Sequence, residues 1–288
     1  MIGKKFVRRE MIMIPQSVRM LEYYTCTYAC DRCEKETGSA TIFSTQAPPP
    51  LMKHSLASPS TVADVMAKKY VDGLPLARQE KIWARQEKIW ARQGVELSRA
   101  TLANWVIQTE KKWLKPLWNH MKQQIRDESV IHADETVVQV LKEPDKPATS
   151  ESRMWVYASG EYSQKPVRIF EYQPDRKGDR AKAFLRGFSG CLVTDGYAGY
   201  NDVENAIRPF TLGRKNWLFC DSVKGAEASA VVYTLVETAK ANGIDPYEYL
   251  HLVLTMLPYL GKNPSHEALE ELMPWHPKVK NIELIRDK

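Results

Sequence analysis

From residue 129 onward the spacing of apolar residues switches from helical to alternating. The order of the segments that follow leaves few architectures open. Val130-Ile131-His132-Ala133-Asp134 and Val137-Val138-Gln139-Val140-Leu141 form one β-rich run. Met154 to Ala158 and Val167 to Tyr172 supply a second and a third strand. Asp179 to Phe188 carries Ala183, Phe184 and Phe188 at helical core spacing. Cys191-Leu192-Val193-Thr194 is a fourth short strand that runs into Asp195-Gly196. The order β-β-β-α-β predicts an α/β or α+β sheet domain. After Asn201 the pattern turns helical. One helix runs over Ala226 to Ala241 and stops at Asn242-Gly243. A second starts at Asp245-Pro246 and ends at Leu257, with Pro258 beyond it. A short one covers His266 to Leu272.

The first half reads differently. Residues 1–46 read as weakly structured, with Cys26, Cys30 and Cys33 close together, and Ala47-Pro48-Pro49-Pro50 reads as a stiff linker. Ser58-Pro59 is a helix start, with Val62, Val65, Met66 and Tyr70 following at helical spacing. Gln79-Glu80-Lys81-Ile82-Trp83-Ala84-Arg85 then recurs unchanged as Gln86 to Arg92. Two copies do not make a solenoid. Seven residues add about 10 Å of helix and fall only about 20° short of two turns, so a helix absorbs the duplication with its apolar face nearly in place. Gly94 breaks that helix, and Ser98 caps the next, which carries Leu102, Trp105, Val106 and Trp113. Helix, turn and a helix opening Ser98-Arg99-Ala100-Thr101 fits a helix-turn-helix, and equally an ordinary helical hairpin.

Composition excludes several classes. No apolar run approaches the roughly 18 residues of a membrane span. Met1 to Phe6 has charge but no apolar core of a secretory signal, which makes the cytoplasm the expected compartment. Five cysteines, an odd number, do not form a disulfide framework. The net charge of +6 permits a polyanionic partner without requiring one. Phosphate-cradling loops, the nucleophile elbow and the helical zinc-protease motif are all absent.

Asp134 and Asp195 lie within or just after two strands of one predicted sheet. Carboxylates that converge repel one another unless a cation lies between them, which is how such pairs hold Mg²⁺ or Mn²⁺. The bland alternative makes Asp134 a strand-edge residue and Asp195-Gly196 a turn. Glu204 is a candidate third carboxylate, although Asn201-x-x-Glu204 also has the spacing of a helix capping box. Arg208, Arg214 and Lys215 follow closely and suit either DNA phosphates or solvent. Cys30-x-x-Cys33 has zinc-ligand spacing but lacks a second pair. Cys191 and Cys220 read as buried small apolar residues, and His132 as a structural histidine on the strand face of Asp134.

Three stretches read together carry more. They are His132-Ala133-Asp134-Glu135-Thr136, Thr194-Asp195-Gly196-Tyr197-Ala198-Gly199-Tyr200-Asn201, and Val203 to Pro209 with Leu212-Gly213-Arg214-Lys215-Asn216-Trp217-Leu218-Phe219. Together they closely resemble bacterial transposases of the insertion sequence sixty-six family. The likeness continues in Lys69-Tyr70, Leu74-Pro75-Leu76, Arg92 to Val95, Trp105, Glu237 to Lys240 and Leu272 to Trp275.

The resemblance implies a ribonuclease-H-like catalytic domain with an Asp-Asp-Glu triad at Asp134, Asp195 and Glu204. Two Mg²⁺ or Mn²⁺ ions held there would activate water or a DNA 3′-hydroxyl for attack on phosphodiesters. It makes Cys30 and Cys33 one pair of a zinc finger, hence a partial Zn²⁺ site. It makes the helices around Ser98 to Trp105, with Arg99, a DNA-binding region. The implied partner is double-stranded DNA at terminal repeats, with a homo-oligomer and no membrane. The implied division is a zinc-finger-like segment (1–46), a helical region (47–125), a shortened catalytic domain (126–225) and a helical C-terminal region (226–288).

Two departures accompany the likeness. The family carries a long helical segment between the Asp-Gly-Tyr-Ala-Gly-Tyr and glutamate motifs, whereas Asp195 and Glu204 here are nine positions apart. Nine residues reach up to about 30 Å, so length alone leaves the triad feasible. The N-terminus lacks the family's leucine-zipper-like region and first cysteine pair. The expected function is therefore DNA cleavage and strand transfer impaired by the deletion. The alternative is an inactive remnant that still binds DNA.

Overall fold

The computed structural model describes residues 9, 18–89, 97–194, 208, 210–212, 215–216 and 219–281, without the side chains at 37 and 85–89. The chain divides into two compact units, Met1–Pro49 and Pro50–Lys288. In the first, β1 (Thr27–Cys30) pairs antiparallel with β2 (Thr41–Ser44), and α1 (Asp31–Thr37) connects them. Tyr28 stacks on Phe43 across the pair at 5.4 Å. Gly38 closes α1 in the left-handed region at φ 70°, and its N–H donates to Glu34 O. Weak structure was expected across 1–46, and this hairpin corrects that for residues 27–44. Its strands of four residues are too short to announce themselves in the sequence.

The second unit opens with helices α2 (Pro59–Tyr70) and α3 (Leu76–Ile89), followed by one long helix. That helix comprises α4 (Arg99–Thr109), a π-turn (Glu110–Leu114) and α5 (Lys115–Arg126). The expected caps are present: the Ser58 side chain accepts from Thr61 N, and Ser98 accepts from Thr101 N. The first heptapeptide copy and the start of the second lie in α3, and residues 90–96, Gly94 included, lie outside the described residues.

Strand β3 (Val130–Lys142) is the spine of the sheet. It pairs antiparallel with β4 (Glu151–Ser159), which pairs antiparallel with β5 (Arg168–Gln173). After α6 (Gly178–Phe184), β6 (Cys191–Val193) pairs parallel with the start of β3. β7 (Cys220–Ser222) pairs parallel with its end, at Val140↔Cys220. The result is a mixed sheet of order β5-β4-β3-β6, with β7 also on β3. Strand β7 is an addition to the helical reading of this stretch. α6 also stops four residues short of Phe188, because Leu185 leaves helical geometry and Gly187 takes φ 91°.

The long helix α7 (Val223–Ala241) is buried nearly all round from Ala226 to Ala239. Such a helix belongs inside a core. It lies against β5 at the sheet's edge. There Thr234 Oγ1 accepts from Phe170 N at 2.8 Å, and Thr238 Oγ1 accepts from Arg168 N at 3.1 Å. Two threonines four apart on a helix are about 6 Å apart, and two residues along a strand are about 6.6 Å apart, so the spacings match. α8 (Pro246–Leu260) starts at an Asp245 cap and runs two residues past Pro258, further than expected. Near a helix end the missing N–H of proline costs a single bond. α9 (His266–Glu270) and α10 (Pro277–Lys280) complete the unit.

Candidate active site

Asp134 lies near the middle of β3, half-buried, opposite Val156 on β4. Its Oδ1 accepts the backbone N–H of Glu135 at 2.7 Å, which fixes the carboxylate's direction. Alternation along the strands puts Asp134 on one sheet face with Val156 and Phe170. Tyr233 of α7 packs on that face, its ring 5.4 Å from that of Phe170. Glu135 points to the opposite face and pairs with Arg176.

The second edge of β3 runs beside β6 in the register Val130↔Cys191, Ile131↔Leu192 and His132↔Val193. Asp195 lies outside the described residues, as do Glu204 and Arg214. Cys191 is exposed, contrary to the buried reading, because β6 is a three-residue edge strand. Cys220 is buried as expected, and burial pushes its thiol pKa up.

The chain beyond Glu204 is anchored at Phe210, which is 1% exposed. Its ring lies 6.4 Å from Phe170 and 5.3 Å from Tyr233, on the sheet face of Asp134. Arg208, two residues earlier, is exposed, and its carbonyl accepts from Thr211 Oγ1. Lys215 is exposed, and its neighbour Asn216 donates from Nδ2 to Gly73 O at 2.9 Å, at the turn between α2 and α3. Gly73 has φ 66°, and a Cβ there would come within 2.7 Å of that amide nitrogen, so both backbone and contact demand glycine. Sequence reasoning missed Phe210 and Asn216. The signal available was a lone aromatic residue and an asparagine inside a basic run.

Arg99 is the first residue of α4 and is exposed. Its backbone N–H donates to Glu80 Oε1 of α3, which ties the two helices together. In the first unit Cys30 and Cys33 are both half-buried, at the start of α1. Hydrogen bonds from the Cys33 backbone and side chain hold the Cys30 thiol pKa below its usual range. Among the described residues no three His, Cys, Asp or Glu side chains gather as a metal site. Among them, too, no helix is long and apolar enough to cross a membrane.

The geometry thus defines a mixed α/β protein with an aspartate on its central strand and exposed basic residues on the segments beside that sheet. Comparison with known proteins supplies the family. The model of the Transposase IS66 family matches residues 54–203 and 201–228, and that of the IS66 C-terminal element matches residues 234–275. The chain belongs to the IS66 transposase family. The two pieces of the first match meet at residues 201–203, where the resemblance put the missing segment.

Relatives include uncharacterized proteins y4qI and y4jD of Sinorhizobium fredii (strain NBRC 101917 / NGR234). The first is 23% identical over 359 residues, covering 80% of this chain and 64% of its own length. The second is 28% identical over 241 residues, covering 78% of this chain and 44% of its own. The chain therefore spans less than two thirds of either relative. In the first alignment 80% of 288 residues is about 230, so about 130 of its 359 positions face a gap here. No solved structure matches.

Proposed function

We propose that this chain is a DNA transposase by design, cutting and joining DNA at insertion-sequence ends through Asp134, Asp195 and Glu204. The carrying observation is the β3–β6 register. The last described pair is His132↔Val193, and two residues further along each chain segment the sequence has Asp134 and Asp195. If the parallel pairing continues, the two carboxylates are neighbours on one face of a ribonuclease-H-like sheet. Phe210, six residues after Glu204, packs on that same face, which supports return of the glutamate segment to the sheet.

The donor set fits the implied ions. Carboxylate oxygens suit Mg²⁺ and Mn²⁺, whereas thiolates and imidazoles favour other metals. Asp134, Asp195 and Glu204 would hold two such ions, whose bound chemistry is an activated oxygen nucleophile and a stabilised leaving oxygen. Asp134 contributes a carboxylate already oriented by the Glu135 N–H. Arg99, Arg208, Arg214 and Lys215 would contact DNA phosphates, which position the duplex without reading its sequence. The division into 1–46, 47–125, 126–225 and 226–288 is kept as part of this reading, with Cys30 and Cys33 as a half-set of zinc ligands in the first segment. The DNA partner would be terminal-repeat duplex, bound by a homo-oligomer.

A second reading is an inactive remnant that keeps DNA binding. The observation favouring it is the family match broken at residues 201–203. A thermal melt with and without Mn²⁺, on the chain and on Asp134→Asn, separates the two. At 100-fold excess over Kd, ion binding adds about 2.7 kcal/mol, or several degrees for a chain of this size. A rise that needs Asp134 supports the transposase reading. A cooperative melt blind to Mn²⁺ supports the remnant.

A further inference from the structure

Three lysines, Lys53, Lys112 and Lys262, stand together beside the π-turn, with Lys111 and Lys115 on the same stretch nearer the buried Glu110. Lys111 and Lys112 lie in the turn, and Lys115 follows at the start of α5. Lys53 comes from the turn before α2, and Lys262 from just past the end of α8. Tertiary contacts bring these segments in. Trp113 Nε1 donates to Leu51 O at 2.9 Å, which fixes the chain two residues before Lys53 beside the π-turn. α8 packs on the π-turn, which delivers Lys262.

The ammonium groups do not hide. Lys53, Lys111, Lys112 and Lys262 are exposed and Lys115 is half-exposed, and none makes an ion pair among the described residues. Lys112 Nζ lies 4.2 Å above the ring of Trp113, and Lys115 Nζ lies 4.0 Å above that of Trp118. Both indoles are about 5% exposed. The two ammonium groups therefore rest on fixed indole faces, each held in place by a cation–π contact at the surface. Glu110 is buried in the turn; desolvation raises its carboxyl pKa, and Lys115 and Lys111 pull it back without cancelling that rise. Desolvation lowers the Lys112 ammonium pKa, and Lys262 and Lys53 push it the same way.

A basic run in one segment is ordinarily a solvated helix face, and a lysine past a helix C-terminus is explained by the dipole. Neither accounts for lysines drawn from positions 53, 112 and 262 to one place. Like charges gathered by the fold cost stability unless an anion relieves them.

We infer that the π-turn and the two segments flanking it form a phosphate-contacting surface for duplex DNA, centred on Lys53, Lys112 and Lys262. It is separate from the basic residues assigned above, and it rests on the reading of this chain as a DNA-processing protein. The contacts are to the backbone, so they hold any sequence alike.

The test uses the full chain and a random-sequence duplex, with affinity measured by fluorescence anisotropy from 50 to 200 mM salt. The variant is Lys53→Gln, Lys112→Gln, Lys262→Gln. Its control is Lys142→Gln, Lys240→Gln, Lys278→Gln, which removes equal charge from lysines already paired to Asp221, Glu237 and Glu271. Three lost phosphate contacts should cut the slope of log K against log salt by about 2.7 and weaken binding roughly 10²-fold at 0.1 M salt. The control should keep the wild-type slope. The first variant should melt no lower than wild type, because it removes repulsion. Equal slopes for the two variants overturn the surface while leaving the transposase reading to the Mn²⁺ melt. A wild-type chain that fails to bind duplex at all overturns both.

Discussion

Phe210 is the buried side chain that docks the chain on the sheet face soonest after Glu204 among the described residues, and removing it gives a measurable loss. Phe210→Ala takes out a ring that is 1% exposed and packed between Phe170 and Tyr233. An aromatic side chain of this kind buries about 150–250 Å². At about 25 cal/mol per Å² that is about 4–6 kcal/mol, an upper bound because the unfolded chain is not fully extended. Buried Phe→Ala changes cost about 3–5 kcal/mol in practice, so about 4 kcal/mol is the working figure. At about 2–4 °C per kcal/mol for a unit of this size, the melting midpoint should fall by about 8–16 °C. Leu212→Ala, two residues on and 54% exposed, is the matched control and should move stability by less than about 0.5 kcal/mol. Circular dichroism melts of both, beside wild type, decide it. If the two variants melt within about 2 °C of each other, the segment is not docked through Phe210, and the argument that brings Glu204 toward Asp134 loses its support.

Two other outcomes follow from buried polar contacts. Burial alone would raise the Glu270 carboxyl, but hydrogen bonds from Trp275, His120 and Lys165 outweigh it and hold the group at about 2 against an ordinary 4.5. A carboxyl lowered on folding stabilises the protein above pH 4.5, and that contribution drains away as pH falls toward 2. Glu270→Gln should therefore melt below wild type at neutral pH, with the gap narrowing between pH 4.5 and 2. A gap that stays constant across that range would falsify the assignment. Trp113→Phe leaves the Leu51 carbonyl without its donor and should cost about 1–3 kcal/mol. Limited proteolysis should also speed up near residues 50–57, and unchanged cleavage there would show that Trp113 does not pin this segment.

The sheet was legible because period-two alternation is local and strong over β3, β4 and β5. Helix starts at Ser58, Ser98 and Asp245 were legible for a similar reason, since a cap is three residues of chemistry. β7 was not, because three residues earn strand geometry only by pairing with Val140, some 80 positions away. The exposure of Cys191 was misjudged because a strand's burial depends on what lies beyond it, which one sequence does not reveal. At the candidate site Asp134 stood out by type and position. Phe210, the Asn216–Gly73 contact and the lysines around the π-turn did not, since each joins residues far apart in the chain. Their logic is tertiary, and periodicity carries no trace of it.

The threonine pair on α7 has a meaning for how this protein is made. Strand β5 leaves the ribosome with one side of its backbone unmatched, and the hydroxyl that accepts from Arg168 arrives 70 residues later. At about 5–20 residues per second, that is a wait of about 4–14 s. Throughout it the nascent sheet offers an extended, partly apolar border to any neighbouring chain. The fold thus leaves this strand edge to be covered by a helix from its last third. Any event that interrupts synthesis between the two leaves a sticky fragment rather than a smaller working protein, and chaperones and proteases would be its first partners.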